Sequence, residues 1–302
     1  MRRKYRLDRL LGIGGMAAVF AATHRNGSSV AVKILHPELA MLSDMRSRFL
    51  REGYVANQIA HPGVVRVIDD DDDDENQTVF LVMELLDGET VDARWERQGR
   101  RTPLGEALSW TDRVLDVLEA AHEKVVVHRD IKPDNLFLTT SGELKVLDFG
   151  IARLLDGTGV TRTGQLMGTP SFMPPEQANG HVREIDGRTD LWSVGATIFA
   201  LLSGQHVHEG QTPTEVMIYA ATQQARPLES VAPEVPAAVA AVVDKALAFE
   251  RAARWQSARE MRDALRAAAP KGNASPAPPD HPIELRRALT RTMVRGSGGE
   301  ES

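Results

Sequence analysis

The feature that most constrains this 302-residue chain is a change of hydrophobic period near residue 88. Before it, Val19–Phe20, Val30–Leu35, Val64–Ile68 and Val79–Leu85 form short apolar segments of strand length. One helical stretch over Ser43–Ile59 interrupts them, with Ser43 or Asp44 as the expected cap. After the change, Leu104, Leu108, Leu115 and Leu118 recur at helical spacing on one face. Further helices are expected over Leu191–Leu202, Val216–Thr222, Val239–Phe249 and Ser257–Ala268, with small strands near Val125–Val127, Leu136–Leu138 and Leu144–Val146. Strands first and helices later predict an α+β chain, built as one large domain or as two lobes sharing a cleft, β-rich over residues 5–87 and α-helical over 88–268. The segment 269–302 carries several prolines and glycines and is expected to be a disordered tail, with a short basic helix over Ile283–Val294. The acidic run Asp69–Glu75 reads as a solvated turn between two strands.

Composition narrows the chemistry. The chain has no cysteine, which excludes disulfides, thiolate metal sites and cysteine nucleophiles. A net charge of −6 argues against a nucleic-acid partner. Arg2, Arg3 and Lys4 before the apolar stretch Leu10–Ala22 imitate a secretory signal, but Asp8 and the glycines inside that stretch oppose the reading. Leu191–Leu202 is too short for a membrane span and contains Ser193, Gly195 and Thr197. A cytoplasmic location is expected.

The chemistry-bearing residues fall in a definite order. Leu11 to Val19 reads Leu-Gly-Ile-Gly-Gly-Met-Ala-Ala-Val, and Gly12, Gly14 and Gly15 let backbone amides approach a phosphate. A dinucleotide loop needs a helix directly afterwards, whereas Ala18–Thr23 reads as a strand, and a Walker loop needs Gly-Lys-Ser/Thr, which is absent. A strand-loop-strand flap over phosphates remains. In Val30-Ala31-Val32-Lys33, alternation puts Ala31 and Lys33 on one face. The small Ala31 leaves room for a flat base, Lys33 can pair with phosphates, and Glu52 on the next helix can fix the lysine as an ion pair.

The strongest segment is His128-Arg129-Asp130-Ile131-Lys132-Pro133-Asp134-Asn135, followed by Asp148-Phe149-Gly150. Asp130 can accept a hydroxyl proton, and Lys132 can neutralise a transferring phosphoryl group. Asn135 and Asp148 together offer oxygen ligands suited to magnesium. Other readings fail on their own terms. His122-Glu123 begins like a zinc-protease helix, but the second histidine is missing because position 126 is Val126. His206 and His208 are a lone pair without further ligands, and Ser193 lacks the first glycine of a hydrolase elbow.

On these motifs the chain resembles Hanks-type protein kinases, and among them the bacterial eukaryotic-like serine/threonine kinases, over about residues 5–268. The resemblance implies a two-lobed kinase fold, ATP with Mg2+ or Mn2+, and protein substrates bearing serine or threonine. It implies that Val19 and Ala31 cover adenine from above and Phe137 from below, with Leu11 at the start of the flap. Met83 then falls at the gatekeeper position, and the backbone of Glu84 and Leu86 binds the adenine edge. Lys132 and Thr169 match the serine/threonine pattern. Glu176 is expected to pair with Arg254, and Asp190 to bond the catalytic-loop backbone. Thr161 and Thr163 align with autophosphorylated threonines, whose phosphates can pair with Arg129, and a homodimer for reaction in trans is implied. Phe149 is expected to play a structural part. Two positions depart from the pattern: Ala17 stands for the third flap glycine, and Pro174 for the alanine of Ala-Pro-Glu. Neither removes a charged group. A pseudokinase scaffold is the main rival, but Lys33, Glu52, Asp130, Asn135 and Asp148 are all retained. A small-molecule phosphotransferase is disfavoured by the threonine-bearing segment from Thr161 to Glu176.

Overall fold

The structure is a computed structural model and describes residues 4–73, 78–149 and 170–270. Strands β1 (Tyr5–Ile13), β2 (Ala17–His24) and β3 (Ser29–Leu35) form an antiparallel meander. Helices α1 (Pro37–Ala40) and α2 (Ser43–Gln58) follow, and then β4 (Val67–Asp73) and β5 (Thr78–Glu84) complete a sheet of order β1-β2-β3-β5-β4. Alternation sorts β3 cleanly. Val30 and Val32 pack with Ala22, Phe80 and Val82 on one side, while Leu35 packs with Ala17, Phe49, Val79 and Leu81 on the other. Helix α2 crosses the sheet closely at Gly53, where a Cβ would lie 2.9 Å from Leu81 Cδ2.

The acidic run corrects the expectation of a turn. Asp69 to Asp73 belong to β4, in register with Val82 through Thr78 of β5. Aspartate has poor strand propensity, but the ladder to the buried β5 overrides it. Because β4 is the sheet edge, its negative charge also discourages pairing with another chain. Neighbours absorb part of that charge: Tyr5 donates to Asp69 (2.9 Å), Tyr54 donates to Asp70 (3.0 Å), and Arg46 pairs with Asp72. The cap of α2 is corrected as well. The N-cap position is Leu42, with no side-chain bond, and Asp44 supports the first turn by charge alone.

Beyond β5 the chain crosses to a helical lobe through β6 (Gly88–Thr90) and α3 (Val91–Arg97). Gly88 has φ 149°, and a Cβ there would sit 2.0 Å from the Leu138 carbonyl oxygen, so this crossing requires glycine. Helix α4 (Leu104–Glu123) buries Leu108, Leu115 and Leu118, with Leu104 packed at the margin. Val125 follows with φ 59°, which belongs to a turn, so Val125–Val127 is not a strand. Strands β7 (Leu136–Thr139) and β8 (Leu144–Val146) pair with β6 in the order β6-β7-β8.

The helical core continues through α5 (Pro175–Ala178), α6 (Gly187–Ser203), α7 (Pro213–Thr222), α8 (Ala237–Ala246) and α9 (Ala258–Ala268). Helix α6 is apolar nearly all round and buried from Thr189 to Ser203, as a central helix must be. Asp186 and Thr189 close a capping box at its start, and Gly204 ends it at φ 77°. Among the described residues no helix is long and apolar enough to cross a membrane. Gly150, Thr158, Thr161, Thr163, Thr169 and residues 271–302 lie outside the described residues.

Candidate active site

The site is built around a buried carboxylate. Asp190, on the first turn of α6, accepts the backbone N–H groups of His128 (2.9 Å) and Arg129 (2.7 Å) and bonds His122 Nε2 at 2.8 Å. Burial alone raises an aspartate pKa. Here the His122 hydrogen bond and the backbone donor at Arg129 outweigh it and hold Asp190 below the usual range. The anchored loop is bent sharply, with Arg129 at φ 69°. His128 is buried with its ring against Phe149 (centroids 4.7 Å apart). Its Nδ1 accepts from Asp130 N–H (3.2 Å), so Nε2 carries the proton and donates to the Leu147 carbonyl (2.8 Å). Burial pushes its pKa down, which keeps the ring neutral.

That network fixes the reacting side chains. Asn135 Nδ2 donates to both Asp130 O and Asp130 Oδ2, each at 2.8 Å, and the backbone carbonyl of Asn135 accepts Leu147 N–H at 2.8 Å. Lys132 Nζ lies 3.7 Å from Asp130 Oδ2. Asp148, at φ 48°, points its carboxylate at Lys33. Lys33 Nζ is 2.7 Å from Asp148 Oδ1 and 2.9 Å from Glu52 Oε1, so one ammonium joins β3, α2 and the segment after β8. Burial lowers the Lys33 pKa, but the Asp148 and Glu52 carboxylates outweigh it and raise the ammonium above its ordinary value. Burial raises Glu52 despite Lys33, whereas Lys33 overcomes the burial of Asp148 and lowers it. The sequence-predicted residues are therefore brought together, Lys33 with Glu52 and Asp148, and Asp130 with Lys132 and Asn135.

The remaining predicted residues lie on neighbouring elements. Val19 is paired with Lys33, and Ala31 with Met83 on β5, so both stand on the sheet that carries Lys33. Glu84 ends β5 and Leu86 follows in the crossing segment, while Phe137 on β7 is paired with Thr90. Leu11, Gly12, Gly14 and Gly15 lie on and after β1, where Gly14 N–H donates to Ala17 O at 2.8 Å. A Cβ at Gly12 or Gly15 would meet nothing within 4 Å, so the protein's own packing does not demand glycine there.

Glu176 and Arg254 form a buried bidentate pair, and Gln177 Nε2 ties the same short helix to the Arg129 carbonyl (3.1 Å). His122, His128 and Gln177 were not singled out from sequence for these bonds. His122 had been visible only as half of a failed zinc motif. Arg129 Nη1 is buried without a partner among the described residues.

A search of known families matches residues 5–265 to the protein kinase domain. This chain belongs to the protein kinase family. Its kinase domain is of the bacterial serine/threonine type. It is 38% identical over 270 residues to the serine/threonine-protein kinase Pkn1 of Myxococcus xanthus, covering 87% of this chain and 38% of that protein. It is 34% identical over 289 residues to the serine/threonine-protein kinase PknA of Mycobacterium tuberculosis, covering 94% and 65%. The chain thus spans less than two thirds of the length of these relatives. The solved kinase domain of Mycobacterium tuberculosis PknI superposes with a TM-score of 0.68 at 28% identity, covering 88% of this chain and 96% of that one. The kinase fold, with its five-stranded sheet and helical lobe, is common to both.

Proposed function

We propose that this kinase transfers the γ-phosphate of ATP to serine and threonine hydroxyls of proteins, using the site residues named above. The observation that carries the reading is the set of three contacts that bring Asn135 to Asp130, and Lys33 to Asp148 and to Glu52, within hydrogen-bond distance. In this reading the Gly12–Val19 flap covers the phosphates; the tolerance for a Cβ at Gly12 and Gly15 supports a ligand, not packing, as the reason for glycine. Glu84 N–H is already given to Arg66 O (3.0 Å), so its carbonyl and the Leu86 backbone serve the adenine edge, under Ala31 and Val19 and over Phe137, with Leu11 and Met83 at the margins.

Magnesium or manganese is the fitting metal. Asn135 spends its amide N–H on Asp130 and keeps its carbonyl oxygen, and Asp148 gives one oxygen to Lys33 and keeps the other. Two protein oxygens suit an ion that retains waters and phosphate oxygens, and when bound it offsets charge on the phosphates. The chain's own residues do the rest. Lys33, held by Glu52, positions phosphate; Asp130 orients the hydroxyl and accepts its proton; Lys132 offsets charge developing on the phosphoryl oxygens. Catalysis is then positioning plus electrostatics. A cytoplasmic location fits an enzyme that consumes ATP.

Autophosphorylation of Thr161 and Thr163 in trans, within a homodimer, is part of the proposal. Arg129 Nη1, buried without a partner among the described residues, supports a role as hydrogen-bond donor to a loop phosphate. Thr169, Glu176, Arg254, Phe149 and Asp190 act structurally, holding the substrate-side segment and the catalytic loop. Incubating the purified chain with ATP and Mg2+ and mapping phosphopeptides tests both levels. Phosphate on Thr161 and Thr163 is expected. Active enzyme with both unmodified rejects the loop assignment, and no phosphate on itself or on a generic protein substrate rejects the kinase reading in favour of a scaffold.

A further inference from the structure

We propose that Lys145 is a positioning residue that sets the width of the adenine slot, a deduction that rests on the nucleotide-binding reading above. Lys145 lies on β8, just before Asp148, and its Nζ reaches Glu84 Oε1 at 3.2 Å from the opposite lobe. The same Glu84 oxygen accepts Arg66 N–H at 2.9 Å. One carboxylate oxygen therefore joins the end of β5, the linker between α2 and β4, and the strand that delivers Asp148.

The linker is itself fixed to the helical lobe. Val146 N–H donates to Gly63 O (2.7 Å), and a Cβ at Gly63 would lie 2.5 Å from Val117 of α4. At its far end, Asn57 of α2 clamps Val67 through two bonds of 2.9 and 3.1 Å. Helix α2, which carries Glu52, thus hangs from the same junction.

Two further observations connect the tie to the nucleotide. First, Lys145 is directly opposite Phe137 in the β7–β8 ladder, so their side chains share a face. Lys145 consequently links the two walls of the slot, Phe137 below and the Glu84–Leu86 edge beside it. Second, a cavity of about 530 Å³ opens between the linker, Glu84 and Lys145, bordered by Ile59, His61, Val65 and Arg66. Close-packed side chains do not fill that space, so packing alone does not hold the spacing there. The Lys145 side chain is only 12% exposed and lines that opening. Losing it leaves Glu84 bonded to the Arg66 linker but no longer to β8, and this lets the slot walls separate, which weakens adenine contacts while leaving Asp130, Lys132 and Asn135 in place.

Steady-state kinetics of Lys145→Met, Lys145→Arg and Glu84→Gln, alongside thermal melts, test the inference. Lys145→Met is expected to raise the KM for ATP about five-fold or more with kcat within about two-fold, because ground-state binding is what it loses. Lys145→Arg restores KM to near the wild-type value, and the Lys145→Met/Glu84→Gln double variant is no worse than the poorer single one. An unchanged or lowered KM in Lys145→Met, a rise that arginine does not reverse, or additive effects in the double variant each overturn the proposal. Should Lys145→Met fail to fold, Glu84→Gln decides alone: a raised KM supports the tie and an unchanged one removes it. A wild-type chain that does not bind ATP overturns the slot itself, whereas wild-type turnover with unaltered KM in the variants overturns only the role of Lys145.

Discussion

Arg254 and Glu176 meet through two parallel 2.9 Å hydrogen bonds, and the two side chains are 0% and 3% exposed. Arg254 spends its other three N–H groups on the Ala248, Phe249 and Arg188 carbonyls, and Thr189 donates to the Glu176 carboxylate. With every group satisfied, removing one partner leaves a buried charge uncompensated. Arg254→Met is expected to cost about 3–5 kcal/mol of stability, read as a lowered urea midpoint. A change below about 1 kcal/mol contradicts the assignment of this pair as the anchor of α5.

Lys33→Met removes the ammonium shared by Glu52 and Asp148. Two carboxylates are then left facing each other and the phosphates lose their positive partner. Turnover is expected to fall by about 100-fold or more, measured as phosphate transfer at saturating ATP. Wild-type turnover in this variant contradicts the role given to Lys33.

Glycine substitutions separate folding from binding. Gly88→Ala places a methyl 2.0 Å from the Leu138 carbonyl at φ 149° and should destabilise the fold by about 2 kcal/mol or more. Gly15→Ala meets no atom within 4 Å and should shift stability by less than about 0.5 kcal/mol, while raising the KM for ATP. Thermal melts and ATP titrations of the two variants check the contrast. Equal melting shifts contradict it.

Acidification should weaken the catalytic loop through His128. Its folded pKa is held below the ordinary value of 6.5 by burial, so below that pH the unfolded chain binds a proton that the folded chain does not. Stability is therefore level above 6.5 and declines as pH falls from there toward the folded pKa. Burial lowers His206 and His208 in the same direction, so the slope is shared. Asp190, whose pKa is depressed, adds its loss only further down, as pH falls through its folded pKa below 3.8. Melting temperatures between pH 8 and pH 5 should show the decline, and His128→Gln should make it shallower. A melting temperature that rises on acidification contradicts this account.

How much of this was legible in the sequence follows from the range of each interaction. Asp130 and Asn135 bond across one short loop, so their relation could be read from spacing. Lys33 and Asp148 are 115 positions apart, and only the motif order suggested that they meet. Lys145 and Gln177 carried no such signal, because their partners lie 61 and 48 positions away and are a side chain and a bare carbonyl. The strand of aspartates over Asp69–Asp73 was misread because side-chain propensity was weighed without the ladder to β5 that overrides it. Val125 was misread for the opposite reason: its β-branched side chain suggested a strand, but the turn after α4 holds it at positive φ. The fold class was legible throughout, since the change from strand to helix period near residue 88 follows the division between sheet and helices.

The most direct test of the central claim compares wild type with Asp130→Asn at saturating ATP and Mg2+. Asn135 Nδ2 already satisfies the Asp130 position at 2.8 Å, and an asparagine there keeps size and a hydrogen-bonding oxygen while losing the carboxylate that orients and deprotonates the hydroxyl. Phosphate transfer to a serine- or threonine-bearing protein is expected to drop by about 100-fold or more, with ATP affinity and melting temperature little changed. Equal transfer by the two proteins contradicts the account.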